Sequence, residues 1–177
     1  MDLQKSFTIN NCLIKNFTQL SDIEHQQILV VRNSREIREW MYNNQCILVQ
    51  AHMKFVESLR KDDKKYYWAV YSANTLLGVI YLYNIDFCHE RAFLGIYVNF
   101  HNTIRRKGIM LIEILKEIAF QTLHLHTIKL EVLEDNIRAI NFYMENGFAL
   151  EGSLKEYAFR DGKRENVLIF GYINSKN

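Results

Sequence analysis

Apolar positions along the chain change period several times, and each change marks an element. Between Arg106 and Gln121, Leu111, Ile114, Leu115 and Ile118 recur at helical spacing, while Glu113, Lys116, Glu117 and Gln121 share the opposite side. That pattern predicts an amphipathic helix of about four turns. Upstream, Ser21-Asp22-Ile23-Glu24 has the spacing of a capping box, a hydroxyl followed three residues later by a carboxylate, so a helix should run on through about Arg32. A short second helix is expected over Ser34–Tyr42, and a third from near His52 to about Arg60. Tyr66–Ser72 and Leu76–Ile85 are rich in aromatic and β-branched residues and are separated by Ala73-Asn74-Thr75, which predicts a β-hairpin. Ala92–Val98 and Thr127–Leu133 read as further strands. Asn136–Asn146 predicts a helix stopped by Gly147, the residue suited to a left-handed C-terminal cap. From Leu154 to Tyr172, two strands flank Asp161-Gly162, a strong hairpin-turn signal.

The resulting order is helices, three strands, a helix, a strand, a helix and a hairpin. It predicts the α+β class, with helices covering a mostly antiparallel sheet. The 177 residues contain no repeat and no Ser/Gly-rich linker, so one domain over 1–177 is expected. Apolar types at 49% suffice for a core and, with 24% charged residues, exclude disorder. Lys plus Arg is 22 against 20 Asp plus Glu, and this near-balance argues against a nucleic-acid coat or a polybasic membrane anchor. The start, MDLQKSFTIN, lacks the pattern of a signal peptide, and Leu76–Ile85 falls far below the roughly 20 apolar residues of a membrane helix. Cys12, Cys46 and Cys88 are widely spaced with no CxxC, which leaves no zinc knuckle and no redox pair. His124 and His126 share a face in an extended segment but have no third ligand at a useful spacing, so no metal is expected. His25, His89 and His101 are expected at the solvent. A reduced, cytoplasmic protein with free thiols fits all of this, and a homodimer would be compatible with it.

Two segments carry candidate chemistry. The strand Leu94–Val98 leads through a short loop into Arg105-Arg106-Lys107-Gly108-Ile109, which opens the long helix. Unpaired N–H groups and the positive dipole end at a helix start can seat a diphosphate. Gly108 lets the backbone approach closely, and three cations stand beside it. The rival reading is an exposed basic helix start. In the second segment, the strand ending Glu131-Val132-Leu133 runs straight into the helix of Asn136 and Tyr143. Those two residues are seven apart and share one helical face, about 10 Å apart along the axis. A phenol at Tyr143 could donate a proton to a leaving thiolate; a tyrosine so placed is, taken alone, more often a core-edge aromatic with its hydroxyl in water. Glu131 faces away from the apolar side of its strand, where it could polarise an amine or water or form a strand-edge salt bridge.

These segments resemble the Gcn5-related N-acetyltransferases. Arg105–Met110 is similar to their [Q/R]-x-x-G-x-[G/A] acetyl-CoA loop, with Met110 in place of the final small residue, and Asn136, Ala139, Tyr143 and Asn146-Gly147-Phe148 are similar to the motif that follows. The resemblance implies a twisted sheet splayed at the cofactor site and no metal. It also implies acetyl-CoA held by Ile96, Tyr97, Val98, Arg105, Arg106, Lys107, Gly108, Ile109, Met110, Asn136 and Tyr143. Arg32-Asn33, Arg38-Glu39-Trp40-Met41-Tyr42, His52 with Phe55, and Gly95-Ile96-Tyr97 further resemble the nucleotide-sugar N-acetyltransferases of pseudaminic acid biosynthesis. That implies transfer to the 4-amino group of UDP-4-amino-4,6-dideoxy-N-acetyl-β-L-altrosamine, on the route to a flagellin-modifying sugar. Arg32, His52 and Tyr97 would then hold the nucleotide-sugar, with Tyr83 and Asn84 at a bend beside it and Tyr143 as the acid.

Physical chemistry accommodates those roles. An arginine holds phosphate bidentately and aromatic rings stack a base, and Tyr97 lies on the face of its strand opposite Leu94, Ile96 and Val98. The rival for Arg32 is a surface ion pair with Glu36 or Glu39. Direct transfer in a ternary complex is expected, with a strand N–H near Ile96–Val98 stabilising the oxyanion. No cysteine lies in either motif, which disfavours an acetyl-cysteine intermediate. The alternatives are a ribosomal-protein-type N-terminal acetyltransferase and a non-catalytic nucleic-acid module using Arg105, Arg106, Lys107 and Arg138. The net charge of +2 argues against the latter.

Overall fold

Three two-residue turns shape the sheet. Asn10-Asn11, Ala73-Asn74 and Asp161-Gly162 all have positive φ at both positions, the geometry that matches the twist of paired strands. In the computed structural model, which describes residues 2–175, they join β1 (Phe7–Ile9) to β2 (Cys12–Asn16), β3 (Tyr66–Ser72) to β4 (Thr75–Asp86), and β7 (Ala149–Arg160) to β8 (Lys163–Ile173). The remaining elements are α1 (Asp22–Asn33), α2 (Arg35–Arg38), α3 (Val49–Leu59), β5 (Arg91–Val98), α4 (Lys107–Glu117), β6 (Thr127–Leu133) and α5 (Ile137–Glu145). The strands form one sheet in the order β1-β2-β3-β4-β5-β6-β8-β7. Every pairing is antiparallel except β5–β6, which is parallel.

Each face of the sheet carries its own core. Trp68, Ile80, Leu82 and Leu94 pack against Leu111, Ile114 and Leu115 of α4 on one side. Ala69, Val79 and Tyr97 pack against Ile28 and Val31 of α1 and Val56 of α3 on the other. The capping box at Ser21 and Glu24 forms as expected, and Gly147 closes α5 at φ +84°.

Four expectations are corrected. The β1–β2 hairpin precedes the helices; strands this short are lost in the hydrophobic pattern, and the Asn10-Asn11 turn was their available signal. The second helix is a single turn, Arg35–Arg38, and the chain from Glu39 to Leu48 is irregular. The long amphipathic helix ends as an α-helix at Glu117 and continues as a π-turn over Ile118–Thr122, where Leu123 N–H donates to the Ile118 carbonyl at 3.0 Å. His25, expected at the solvent, is only 4% exposed, because α3 covers that side of α1 and supplies it with a polar partner, His52.

Candidate active site

The sheet splits at its one parallel junction. β5 and β6 pair only through Arg91↔Thr127, Ala92↔Ile128 and Phe93↔Lys129, and from Leu94 onward they part. Alternate amides on the inner edge of Leu94–Val98 therefore lose their ladder partners. Ile96, Tyr97 and Val98 lie on this edge.

The start of α4 stands at the mouth of the split. Arg106 caps it in the left-handed conformation, φ +59°, without a side-chain cap bond. Met110 N–H already donates to the Arg106 carbonyl at 3.1 Å, so the free amides of the first turn belong to Lys107, Gly108 and Ile109. Lys107 Nζ donates to Asn99 O (2.5 Å), Asn102 O (2.8 Å) and Asn102 Oδ1 (3.0 Å). Its ammonium therefore shapes the loop, and desolvation pushes its pKa down. Arg138 lies over the Phe100 ring at 5.0 Å. Arg105 and Arg106 remain as exposed cations. Gly108 has a second reason for being glycine: a Cβ there would stand 3.1 Å from the Phe142 ring of α5.

Asn136 caps α5, its Oδ1 accepting from Ala139 N–H at 3.1 Å. Seven residues on, Tyr143 is packed between Phe142 and Phe148 and is 7% exposed. Burial, reinforced by Tyr81, pushes its pKa up, so the phenol keeps its proton at neutral pH.

Tyr81 lies on the other face of the sheet. Gly95 pairs with it across β4 and β5, and a Cβ at Gly95 would overlap the Tyr81 phenol. The glycine thus lets that ring lie flat on β5 at the split. Tyr81 stacks on Tyr67 with centroids 4.5 Å apart, Tyr83 follows at 6.0 Å, and Phe93 lies 5.5 Å beyond Tyr83. Arg32 is half-buried above this row. Its Nη2 donates to Asn43 O at 3.1 Å, while its Nη1 is buried without a partner among the described residues. Desolvation lowers the Arg32 pKa, while Tyr97, Tyr81 and Tyr67 act on it to raise it. Neither Glu36 nor Glu39 pairs with Arg32; Glu39 pairs with Arg35 instead. Glu131 accepts a hydrogen bond from the Tyr42 hydroxyl at 3.0 Å, and the strand-edge ion pair on β6 belongs to Lys129 and Glu151.

The structure brings Arg32, Tyr83, Tyr97 and Glu131 to one face. Tyr97 is more enclosed than a cleft residue, at 9% exposure. Asn84 sits exposed at a bulge with φ +52°, past the row of rings. His52 is turned inward instead, 6% exposed, with its Nε2 2.9 Å from His25 Nδ1. Tyr67 and Tyr81 were not singled out in the sequence, and Tyr42 entered only as part of the Arg38–Tyr42 run. The period-2 alternation that puts Tyr81 on the face of Tyr83 was visible, but the close approach to Gly95 was not.

A split parallel pair with a helix N-terminus at its mouth is the arrangement expected of an acetyl-CoA site. Residues 15–166 match the family model for the acetyltransferase (GNAT) domain. The chain belongs to the GNAT acetyltransferases. Acetyltransferase PseH of Campylobacter jejuni is 28% identical over 144 residues, 81% of this chain and 88% of that protein. Spermidine N(1)-acetyltransferase of Vibrio cholerae is 31% identical over 101 residues, 57% of this chain and 58% of that protein. Among solved structures, the V. cholerae spermidine N-acetyltransferase in complex with CoA and spermine has a TM-score of 0.84 at 23% identity, covering 95% of this chain and 98% of that one. C. jejuni PseH in complex with acetyl coenzyme A has a TM-score of 0.70 at 23% identity, covering 93% and 99%. At those identities the likeness is one of fold, and this GNAT chain is an acetyltransferase. Among the described residues, no three His, Cys, Asp or Glu side chains gather where they could hold a metal.

Proposed function

We propose that the protein transfers an acetyl group from acetyl-CoA to the amino group of an anionic nucleotide-activated amino sugar, in the manner of PseH. The acceptor would be UDP-4-amino-4,6-dideoxy-N-acetyl-β-L-altrosamine or a close isomer. The observation that carries this reading is the Arg32 Nη1, buried beside Tyr67, Tyr81 and Tyr97 and without a partner among the described residues. A buried unpaired donor of that kind is costly unless a ligand completes it, and phosphate is the acceptor a guanidinium fits best. The tyrosine row offers π-faces for a base or sugar ring. A cytoplasmic location follows from this reading, both co-substrates being cytoplasmic metabolites.

Acetyl-CoA supplies the activated thioester. The amides of Lys107, Gly108 and Ile109 would bind its diphosphate with Arg105 and Arg106 alongside, and Asn136 would lie further along the same ligand. The freed edge of Ile96–Val98 would place N–H groups where negative charge develops on the acyl oxygen. Glu131 would take a proton from the amine, directly or through a water, and Tyr143 would give its proton to the departing sulfur. Holding both reactants in one split supplies much of the acceleration.

A second reading, a polyamine acceptor, draws on the spermidine relatives and on a cavity of about 570 Å³ whose lining sets Glu39, Glu134, Asp135, Glu156 and Glu165 against Arg160 and Arg164. Arg32 opposes it, since a cation beside the reaction centre repels a polycation. Acetyl-CoA consumption measured against UDP-4-amino sugars, spermidine and N-terminal peptides separates these readings. Turnover of spermidine or peptide with none of the UDP-sugars would overturn our proposal.

A further inference from the structure

The segment from Glu39 to Leu48 has no helix or strand of its own, yet it delivers Tyr42 to Glu131 and Asn43 to Arg32. What fixes it comes from the far end of the chain. Arg160, the last residue of β7, has a side chain only 10% exposed. Its Nη1 donates to Glu39 O at 2.7 Å and Met41 O at 3.1 Å, across more than a hundred residues of sequence. Its Nε and Nη2 grip both carboxylate oxygens of Glu165, at 2.5 and 3.1 Å. The same hairpin adds Asp161, which accepts from Asn44 Nδ2 at 2.6 Å, and Tyr157, whose ring meets that of Tyr42.

We propose that Arg160 is a positioning residue for the acceptor half of the active site, strapping residues 39–42 to the β7–β8 hairpin so that Tyr42 holds the Glu131 carboxylate in place. The inference rests on the reading of Glu131 as the proton acceptor. A guanidinium is needed because one planar fork must grip a carboxylate on one edge and two carbonyls on the other; an ammonium has the charge without that geometry. The loop that shapes the acceptor pocket is thereby made conditional on a hairpin more than a hundred residues away in sequence, whose strand β8 pairs with β6.

The chain contains its own probe. Of its two tryptophans, Trp68 is 0% exposed and Trp40, inside the strapped segment, is 38% exposed, so acrylamide quenching of native fluorescence reports on Trp40 alone. In Arg160→Gln we expect quenching to rise and the KM for the amine acceptor to climb about tenfold or more, the scale of losing hydrogen bonds to a charged donor. The acetyl-CoA dissociation constant should be unchanged by calorimetry. Arg160→Lys should recover part of the loss. Glu165→Gln, which keeps the bonds to the carbonyls, should leave Trp40 quenching at the wild-type level. Arg160→Gln should add little to Tyr42→Phe if it acts through Tyr42. Unchanged quenching in Arg160→Gln, equal losses for both co-substrates, or additive effects with Tyr42→Phe would each overturn the proposal. The kinetic arm uses whichever amine the wild type acetylates fastest. A wrong acceptor therefore shows in the wild type, and a wrong strap shows only in the variants.

Discussion

In the proposed active site, the donor half and the acceptor half are built by opposite means. The donor half comes from one continuous stretch, residues 94–148, and offers mostly backbone: a freed strand edge, the first turn of α4 and one capped helix. The acceptor half is made of side chains from α1, β3, β4, β5 and β6, with a strap held by β7 and β8. Backbone amides are present whatever the residue, so the first half belongs to the fold itself. The second half depends on the identity of each side chain, so a different acceptor needs only new side chains on the same sheet. Spermidine N-acetyltransferase of V. cholerae and PseH of C. jejuni share this fold at 23% identity.

The sharpest test falls where the halves meet. The Tyr143 ring packs against Phe142 and Phe148, and burial keeps its phenol protonated. Tyr143→Phe therefore preserves the packing against Phe142 and Phe148 and removes only the proton donor. General-acid help is worth about 10²–10⁴-fold, and a thiolate leaves easily, so kcat should fall by at least about tenfold, toward the bottom of that range. Melting temperature and acetyl-CoA affinity should stay near wild type. Wild-type kcat, measured where chemistry limits turnover, would reduce Tyr143 to a packing residue.

A matched pair of variants tests the comparison itself. Gly108→Val crowds the amides of the α4 first turn and presses on Phe142, so the acetyl-CoA dissociation constant should rise about tenfold or more while acceptor KM holds. Arg32→Ala should do the converse, raising acceptor KM about tenfold with acetyl-CoA binding untouched. Calorimetry with acetyl-CoA and initial rates against the acceptor give the four numbers. If either variant weakens both ligands alike, the halves are not independent and the division drawn above fails.

How much of this the sequence discloses follows the same division. The strands Tyr66–Ser72 and Thr127–Leu133, the capping box at Ser21, the Gly147 stop and the Asp161-Gly162 turn were legible because each is written in adjacent residues. The family was legible for the same reason, in the adjacent residues of Arg105–Met110 and of the Asn136–Phe148 run. Tyr42 meeting Glu131, Tyr81 lying on Gly95, and Arg160 reaching Glu39 were not, because such contacts exist only after the sheet is assembled. Lys107 shows a subtler limit. Its charge placed it beside the diphosphate, yet three oxygens of Asn99 and Asn102 surround its ammonium.

The smallest expected effect lies outside both halves. His25 of α1 and His52 of α3 meet beside the Phe17 ring, His25 Nδ1 2.9 Å from His52 Nε2 and the two rings edge to face. Burial pushes both pKa values down, His52 to about 4, while Asp22 and Glu24 partly support His25. In the unfolded chain a histidine titrates near 6.5. Between those values the unfolded state binds more protons than the folded one, so stability rises with pH through this window. The stability is whole above about 6.5 and is lost as pH falls toward 4. Between pH 7 and 5 the His52 contribution amounts to about 2 kcal/mol, while acetyl transfer at pH 7 should be indifferent to it. Urea denaturation at the two pH values, compared with a His25→Leu/His52→Leu variant, isolates the pair from the carboxylates that titrate alongside. A wild-type loss no larger than the variant's would mean that this pair is not held neutral in the fold.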